Sequence, residues 1–215
     1  MVPESPGASD TALSVRAPLG EVQRPPSEYL GSVTEHHAHL RLPLSRSERA
    51  FTGGYLQVDR EEYVQGLRQQ IREVVRVKNG VCVLAVTSDG LAPVVTQFRA
   101  ATGRILTELP AGVVDPGEEA LAAARRELSE EAGMTGGEWI HLRHYAQAEG
   151  YSSGWMDLYL ALDCERGDNH PEGDEELELS FHPVSELLET LPFQDAKSML
   201  SLLFARPHLQ SRGLL

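Results

Sequence analysis

Hydrophobic positions fall into three regimes along the chain. Residues 1–28 show no apolar period and carry Pro3, Pro6, Pro18, Pro25 and Pro26 among small and polar side chains, which predicts a flexible tail. From 29 to 78 the pattern reads as a strand-rich region. His37-Ala38-His39-Leu40-Arg41-Leu42 alternates as a half-buried strand would, and Gly53-Gly54 marks a turn. Between Glu61 and Val77, the spacing of Leu67, Ile71, Val74 and Val75 fits a helix or a strand and does not decide.

From 79 to 206 the signals sharpen into one domain. Val81 to Val86 is continuously apolar, as a strand covered on both faces would be. Ser88-Asp89-Gly90 turns it, and Leu91 to Phe98 returns. Ile105 to Ala111 leads into a helical stretch. Trp139–Tyr145, Met156–Leu162 and Leu177–Phe181 read as further strands. Ser185–Leu191 and Asp195–Phe204 are expected helices, with Leu187, Leu188, Met199, Leu200 and Leu203 on apolar stripes, and 207–215 is left as a tail. Strands before and after a central helix, with terminal helices to cover the second face, predict an α/β fold: an α/β/α sandwich on a mixed sheet.

The central helix carries the chemistry. Asp115 is placed to cap it, with Pro116 at its first position and Glu118 reaching back as a capping box; Gly133 is placed to end it, with Met134 in apolar contact. Leu121, Ala124, Leu128 and Ala132 form one stripe, while Glu127, Glu130 and Glu131 share a neighbouring face. Like charges at those spacings repel by a few tenths of a kcal/mol each, roughly. A divalent cation compensates them, and carboxylate oxygens suit magnesium or manganese. A solvated acidic face is the default explanation of such a run, but the residues around this one form a longer pattern.

Gly112, Glu118, Arg126, Glu127, Leu128, Glu130, Glu131, Gly133 and Met134 reproduce G-x5-E-x7-R-E-U-x-E-E-x-G-U, U being aliphatic, with every spacing intact. Chance agreement at one start position lies below roughly one in a billion at average residue usage. The stretch resembles the Nudix box, the signature of hydrolases acting on a nucleoside diphosphate linked to another moiety. Gln97-Phe98-Arg99 and Glu108-Leu109-Pro110-Ala111-Gly112 are further similar to the ADP-ribose pyrophosphatase branch of that family, a likeness running from about Val81 to Val184.

The resemblance implies magnesium, or manganese, on Glu127 and Glu131 with Glu130 as a further ligand, and the backbone carbonyl of Ala111 as another. It implies structural roles for Gly112, Glu118, Arg126 and Gly133, Arg126 holding Glu118 or a neighbouring glutamate. Arg99 is implied as a grip on substrate phosphate or ribose, which its planar fork of donors suits; an ion pair at a strand end is the alternative. The general base is either Glu130 or a residue of the acidic segment 172–178, with Glu175 first and Glu172 and Asp174 behind it. In the loop AEGYSSGW, Glu149 stands where relatives commonly have a proline, which leaves the substrate open. Tyr151 and Trp155 there either stack on a base or sugar, or pack. Relatives pair as homodimers whose N-terminal regions reach the neighbour's substrate pocket, so a homodimer is expected.

Composition narrows the setting. A formal net charge of −13 argues against a nucleic-acid partner, whereas a small phosphorylated nucleotide is compatible once a cation neutralises the site. Cys82 and Cys164 lack disulfide or metal spacing and read as small core residues. No apolar run reaches membrane-span length and residues 1–25 lack a signal-peptide centre, so the expected setting is the cytoplasm, without membrane association. His36, His37 and His39 invite a metal reading. Adjacent strand residues face opposite ways, however, so only His37 and His39 could share an ion, with no third ligand evident. Three classes of function compete: hydrolysis of a nucleoside diphosphate compound such as ADP-ribose; Nudix hydrolysis of nucleoside triphosphates, coenzyme A or dinucleoside polyphosphates; and a non-catalytic nucleotide-binding regulator. A whole box, and too little chain after the last strand for a winged helix, weigh against the third.

Overall fold

The computed structural model describes residues 37–168 and 176–215. The proline-rich tail, His36, Glu172, Asp174 and Glu175 lie outside the described residues.

The fold is built around β4 (Gly80–Thr87), which is buried at all eight positions. Strand geometry sends alternate side chains to opposite faces, and here each face meets a different helix layer. Val81, Val83 and Ala85 pack with Ala123, Ala124, Leu128 and Ala132 of α1 (Ala120–Ala132). Cys82, Leu84 and Val86 pack with Val184 and Leu187 of α2 (Val184–Thr190) and with Leu202, Ala205 and Leu209 of α3 (Ala196–Ser211). Each fully buried leucine contributes on the order of 2 kcal/mol, so a strand alternating between two cores ties both layers to one backbone.

Beside β4 run β7 (Ala111–Val113), β9 (Trp155–Arg166) and β8 (Met134–Ala146), in the order β7-β4-β9-β8. The β4–β9 pair is parallel and its neighbours antiparallel, giving the mixed sheet of an α/β/α sandwich. A second sheet holds β10 (Leu177–Pro183), β5 (Leu91–Arg99) and β6 (Arg104–Glu108). Cys82 and Cys164 are unbridged and buried, as their apolar surroundings lead one to expect.

The N-terminal region is a third sheet of β1 (Leu44–Thr52), β2 (Gln57–Gln65) and β3 (Arg68–Arg76). The undecided segment from Glu61 to Val77 is thus two strands, turned at Gly66 with φ +61°. The expected strand at 37–42 is instead a turn and a short 3-10 helix, Ala38–Leu40. Leu40 is exposed there, so no core face exists for the alternation to serve. His37 and His39 are both exposed, their rings 6.0 Å apart.

Two helix boundaries also differ from expectation. The central helix begins at Ala120, with Glu119 at the cap, because Pro116-Gly117 is spent in a turn and Gly117 takes φ +82°, where no helix continues. Glu118 nonetheless reaches back to accept from the Asp115 N–H, at 3.1 Å. The last helix runs on through Pro207 to Ser211 rather than ending near Phe204. Fully buried Leu209 repays the rung that proline cannot donate. Gly133 ends α1 as expected, at φ +62°, its N–H returning to the Ser129 carbonyl at 3.0 Å.

Candidate active site

Glu127 and Glu131 project from α1 towards β7, the strand just before it. Glu127 lies against Gly112 so closely that a Cβ at that position would overlap its carboxyl carbon and both oxygens. One turn on, Glu131 accepts the Ala111 N–H at 2.9 Å. Two consecutive backbone units of β7 therefore hold the carboxylates of two helical neighbours, both of them buried residues. The glycine of the motif is required here for space.

Arg126 binds the rest of the motif together. Its Nε and Nη2 donate to Glu118 at 3.2 and 3.0 Å, Nη2 also to the Val113 carbonyl at 2.9 Å, and Nη1 to Glu127 at 2.9 Å and Glu130 at 3.1 Å. These bonds, to Glu118 above all, raise the pKa of the guanidinium against the effect of its burial. The same bonds hold Glu118 below the ordinary carboxylate range.

Glu130 is tied to Arg126 rather than drawn in with the other two. Among the described residues, no three His, Cys, Asp or Glu side chains converge as the ligands of one ion. Glu127 and Glu131 still fit a hard divalent cation by donor chemistry: carboxylate oxygens one helical turn apart, against a strand that Gly112 clears of side chain.

A cleft of about 490 Å³ opens along Ala111, Gly112 and Val113. Arg99 and Tyr151 line it, together with Tyr55, Lys78, Lys197 and the loop 147–152. Tyr151 is exposed, and its carbonyl accepts the Val75 N–H at 2.7 Å, tying the loop to β3. Trp155 packs: its ring stacks on His144 at 4.7 Å and 3°. His144 and His141 in turn share one oxygen of Asp157, at 3.0 and 2.7 Å.

Arg99 forms an ion pair at its strand end. Its Nε and Nη2 hold Glu108 at 2.8 and 2.7 Å, an ion pair between β5 and β6, while the side chain remains part of the cleft wall. Burial pushes the Glu108 carboxyl up, but Arg99 and Lys197 outweigh it and bring its pKa to about 2. Lys197 and Glu108 are the site residues that sequence reasoning did not single out. Glu108 was legible only as a letter of the Glu-Leu-Pro-Ala-Gly run, and Lys197, 89 positions away, carried no local signal. Glu175 lies outside the described residues.

The NUDIX domain model matches residues 76–203. The chain is 33% identical over 145 residues to an ADP-ribose pyrophosphatase of Mycobacterium tuberculosis (strain ATCC 25618 / H37Rv), covering 65% of this chain and 70% of that one. It is 32% identical over 132 residues to the ADP-ribose pyrophosphatase of Bacillus subtilis (strain 168), covering 59% and 71%. Among solved structures, an ADP compounds hydrolase superposes with a TM-score of 0.70 at 22% identity, over 81% of this chain and 97% of that one, a likeness of fold. With the motif complete and the domain matched across more than half its length, the chain belongs to the Nudix hydrolase family.

Proposed function

We propose that the protein hydrolyses, with magnesium, the pyrophosphate bond of a nucleoside diphosphate linked to another moiety, ADP-ribose being the first substrate, to give AMP and ribose 5-phosphate. One observation carries the reading: Glu127 and Glu131 are seated on Gly112 and Ala111, two residues of the wall of a cleft that Arg99 and Tyr151 also line. The names of the two pyrophosphatase relatives agree with it.

The reaction is electrostatically difficult, since an anionic phosphorus must accept water while a charged group departs. Magnesium held by Glu127 and Glu131, with Glu130 and the Ala111 carbonyl as further donors and manganese as a substitute, would neutralise phosphate oxygens and acidify a water. The chain's own residues prepare that site. Arg126 fixes the rotamers of Glu127 and Glu130, the Ala111 N–H fixes Glu131, and Gly112 leaves the room they need. Arg99, its inner edge locked by Glu108, keeps outward donors for phosphate, and Tyr151 offers an exposed ring to base or sugar. The proton leaves water for Glu175 or Glu130.

The loop 147–154 supports a second reading. With Glu149 where the resemblance leads one to expect proline, nucleoside triphosphates, coenzyme A or dinucleoside polyphosphates are the alternative substrates. The N-terminal sheet exposes Leu44, Phe51 and Ile71, and Tyr55 of its β1–β2 turn is exposed and also lines the cleft, which suits the pairing of two chains as a homodimer. No helix among the described residues is long and apolar enough to cross a membrane, and the setting proposed is cytoplasmic. A panel of nucleotides incubated with magnesium, with products identified by mass, tests the assignment. Release of AMP and ribose 5-phosphate from ADP-ribose supports it, and a clear preference for a triphosphate or coenzyme A overturns it.

A further inference from the structure

The charge of the cleft is opposite to that of the chain. The protein carries a formal net charge of −13, yet the charged side chains among the cleft's described lining are Lys78, Arg99 and Lys197, all cations. The whole chain has two lysines, and both are here. Lys78 is engaged by Asp115 at 2.7 Å. Arg99 and Lys197 are held differently, both by one carboxylate set behind them.

That carboxylate is Glu108, only 1% exposed at the end of β6. Arg99 donates to its two oxygens, and Lys197 donates to Oε2 as well. The second anchor of Lys197 is Asp195, at 3.0 Å. Asp195 is itself fixed as the cap of α3, accepting from the Ser198 N–H at 3.0 Å and its hydroxyl at 2.9 Å. The Ser198 Oγ in turn accepts the Leu109 N–H at 2.9 Å, so the helix start and the approach to β7 are one bonded unit.

Among the described residues, these two cations do not spend all their donors. An ammonium has three N–H bonds and a guanidinium five. Lys197 spends one on Glu108 and one on Asp195, and Arg99 spends two on Glu108. The four charges cancel in sum but not in place, because the two cations line the cleft and the two carboxylates do not. Lone donors on a pre-aimed pair of cations are what a phosphate group accepts from.

We propose that Lys197 contacts substrate, clamping a phosphate of a diphosphate ligand together with Arg99, and that Glu108 is the positioning residue that sets the two cations side by side. The proposal rests on the reading of the cleft as a diphosphate site, and it adds a contact supplied by the C-terminal helix.

The test is calorimetric binding of α,β-methylene-ADP, a diphosphate that cannot be cleaved, to the full chain with magnesium. Lys197→Met, shown to be folded by circular dichroism, is expected to weaken binding at least about tenfold, the loss of one charge-assisted bond. Lys197→Arg is expected to recover most of it. Glu108→Gln is expected to weaken binding about threefold or more, with Glu108→Asp recovering part, although both cations remain. Affinity within twofold of the parent in folded Lys197→Met overturns the clamp. Should that variant not fold, acetylation of the parent protein reads the same contact. Saturating ligand is expected to slow labelling of Lys197 at least threefold relative to the N-terminal amine, and equal labelling with and without ligand overturns it. Tight diphosphate binding without ADP-ribose turnover counts against the proposed reaction and leaves the clamp standing.

Discussion

Replacing Gly112 by alanine separates the folding role of the motif from its chemical role. The backbone there lies outside the left-handed region, so alanine is conformationally allowed and only space is at issue. The new methyl group would overlap the Glu127 carboxyl carbon and both oxygens. Carbon contacts settle near 3.5 Å or more, so the carboxylate must retreat by more than about 1 Å. That retreat breaks the 2.9 Å bond from Arg126. Stability changes little: overpacking costs roughly 1–3 kcal/mol, and reduced freedom of the unfolded chain returns roughly 0.4–1 kcal/mol. At about 2–4 °C per kcal/mol for a chain of this size, the melting temperature falls by a few degrees. Rate is far more sensitive, since a misplacement near 1 Å costs about a hundredfold, and metal sites tolerate about 0.2 Å. The assay pairs magnesium-dependent turnover with thermal denaturation followed by circular dichroism, and manganese affinity by electron paramagnetic resonance. A variant keeping turnover within about threefold of the parent would refute the reasoning, because Glu127 would then not need its present place.

Other outcomes follow from the same geometry. Glu131→Gln keeps an acceptor for the Ala111 N–H, so the circular dichroism spectrum should be unchanged while magnesium-dependent turnover disappears; near-normal activity defeats the ligand assignment. Glu175→Gln should slow a single-turnover measurement roughly a hundredfold or more if Glu175 is the base, and a loss below about threefold moves that role to Glu130. For Glu108 the folded pKa of about 2 lies below the ordinary 4.5. Its stabilisation, at most about 3 kcal/mol, is therefore complete above the ordinary value and is lost as pH falls towards the folded one. Denaturant titrations across that acid window should be flatter for Glu108→Gln than for the parent; parallel curves contradict the ion-pair origin.

Where the chain is decided locally, its sequence was readable. The unbroken apolar run Val81–Val86 is the strand covered on both faces that it reads as, and Gly133 ends its helix, because each answer depends on a few neighbouring residues. The helix start was misplaced by several residues because Asp115-Pro116-Gly117 suits a turn as well as a cap, and the left-handed Gly117 settles it. The 37–42 alternation failed for want of a sheet to bury it, which no local pattern announces. The same limit applied to the site. Glu127 and Glu131 sit on one helix and were legible by spacing. Glu108, Asp195 and Lys197 meet only through tertiary packing of β6 against the start of α3. Nothing in the letters around Lys197 marks it as a wall of the cleft that Arg99 shares.

The central physical claim is that Glu127 and Glu131 are seated on β7 to grip a divalent cation that makes phosphorus attackable. Crystals soaked in manganese, examined by anomalous diffraction, test it most directly. The expected result is a peak bounded by the two carboxylates beside Ala111, absent from Glu131→Gln crystals soaked alike. A parent crystal with no peak there, grown from enzyme that still turns over with the same metal, contradicts the claim.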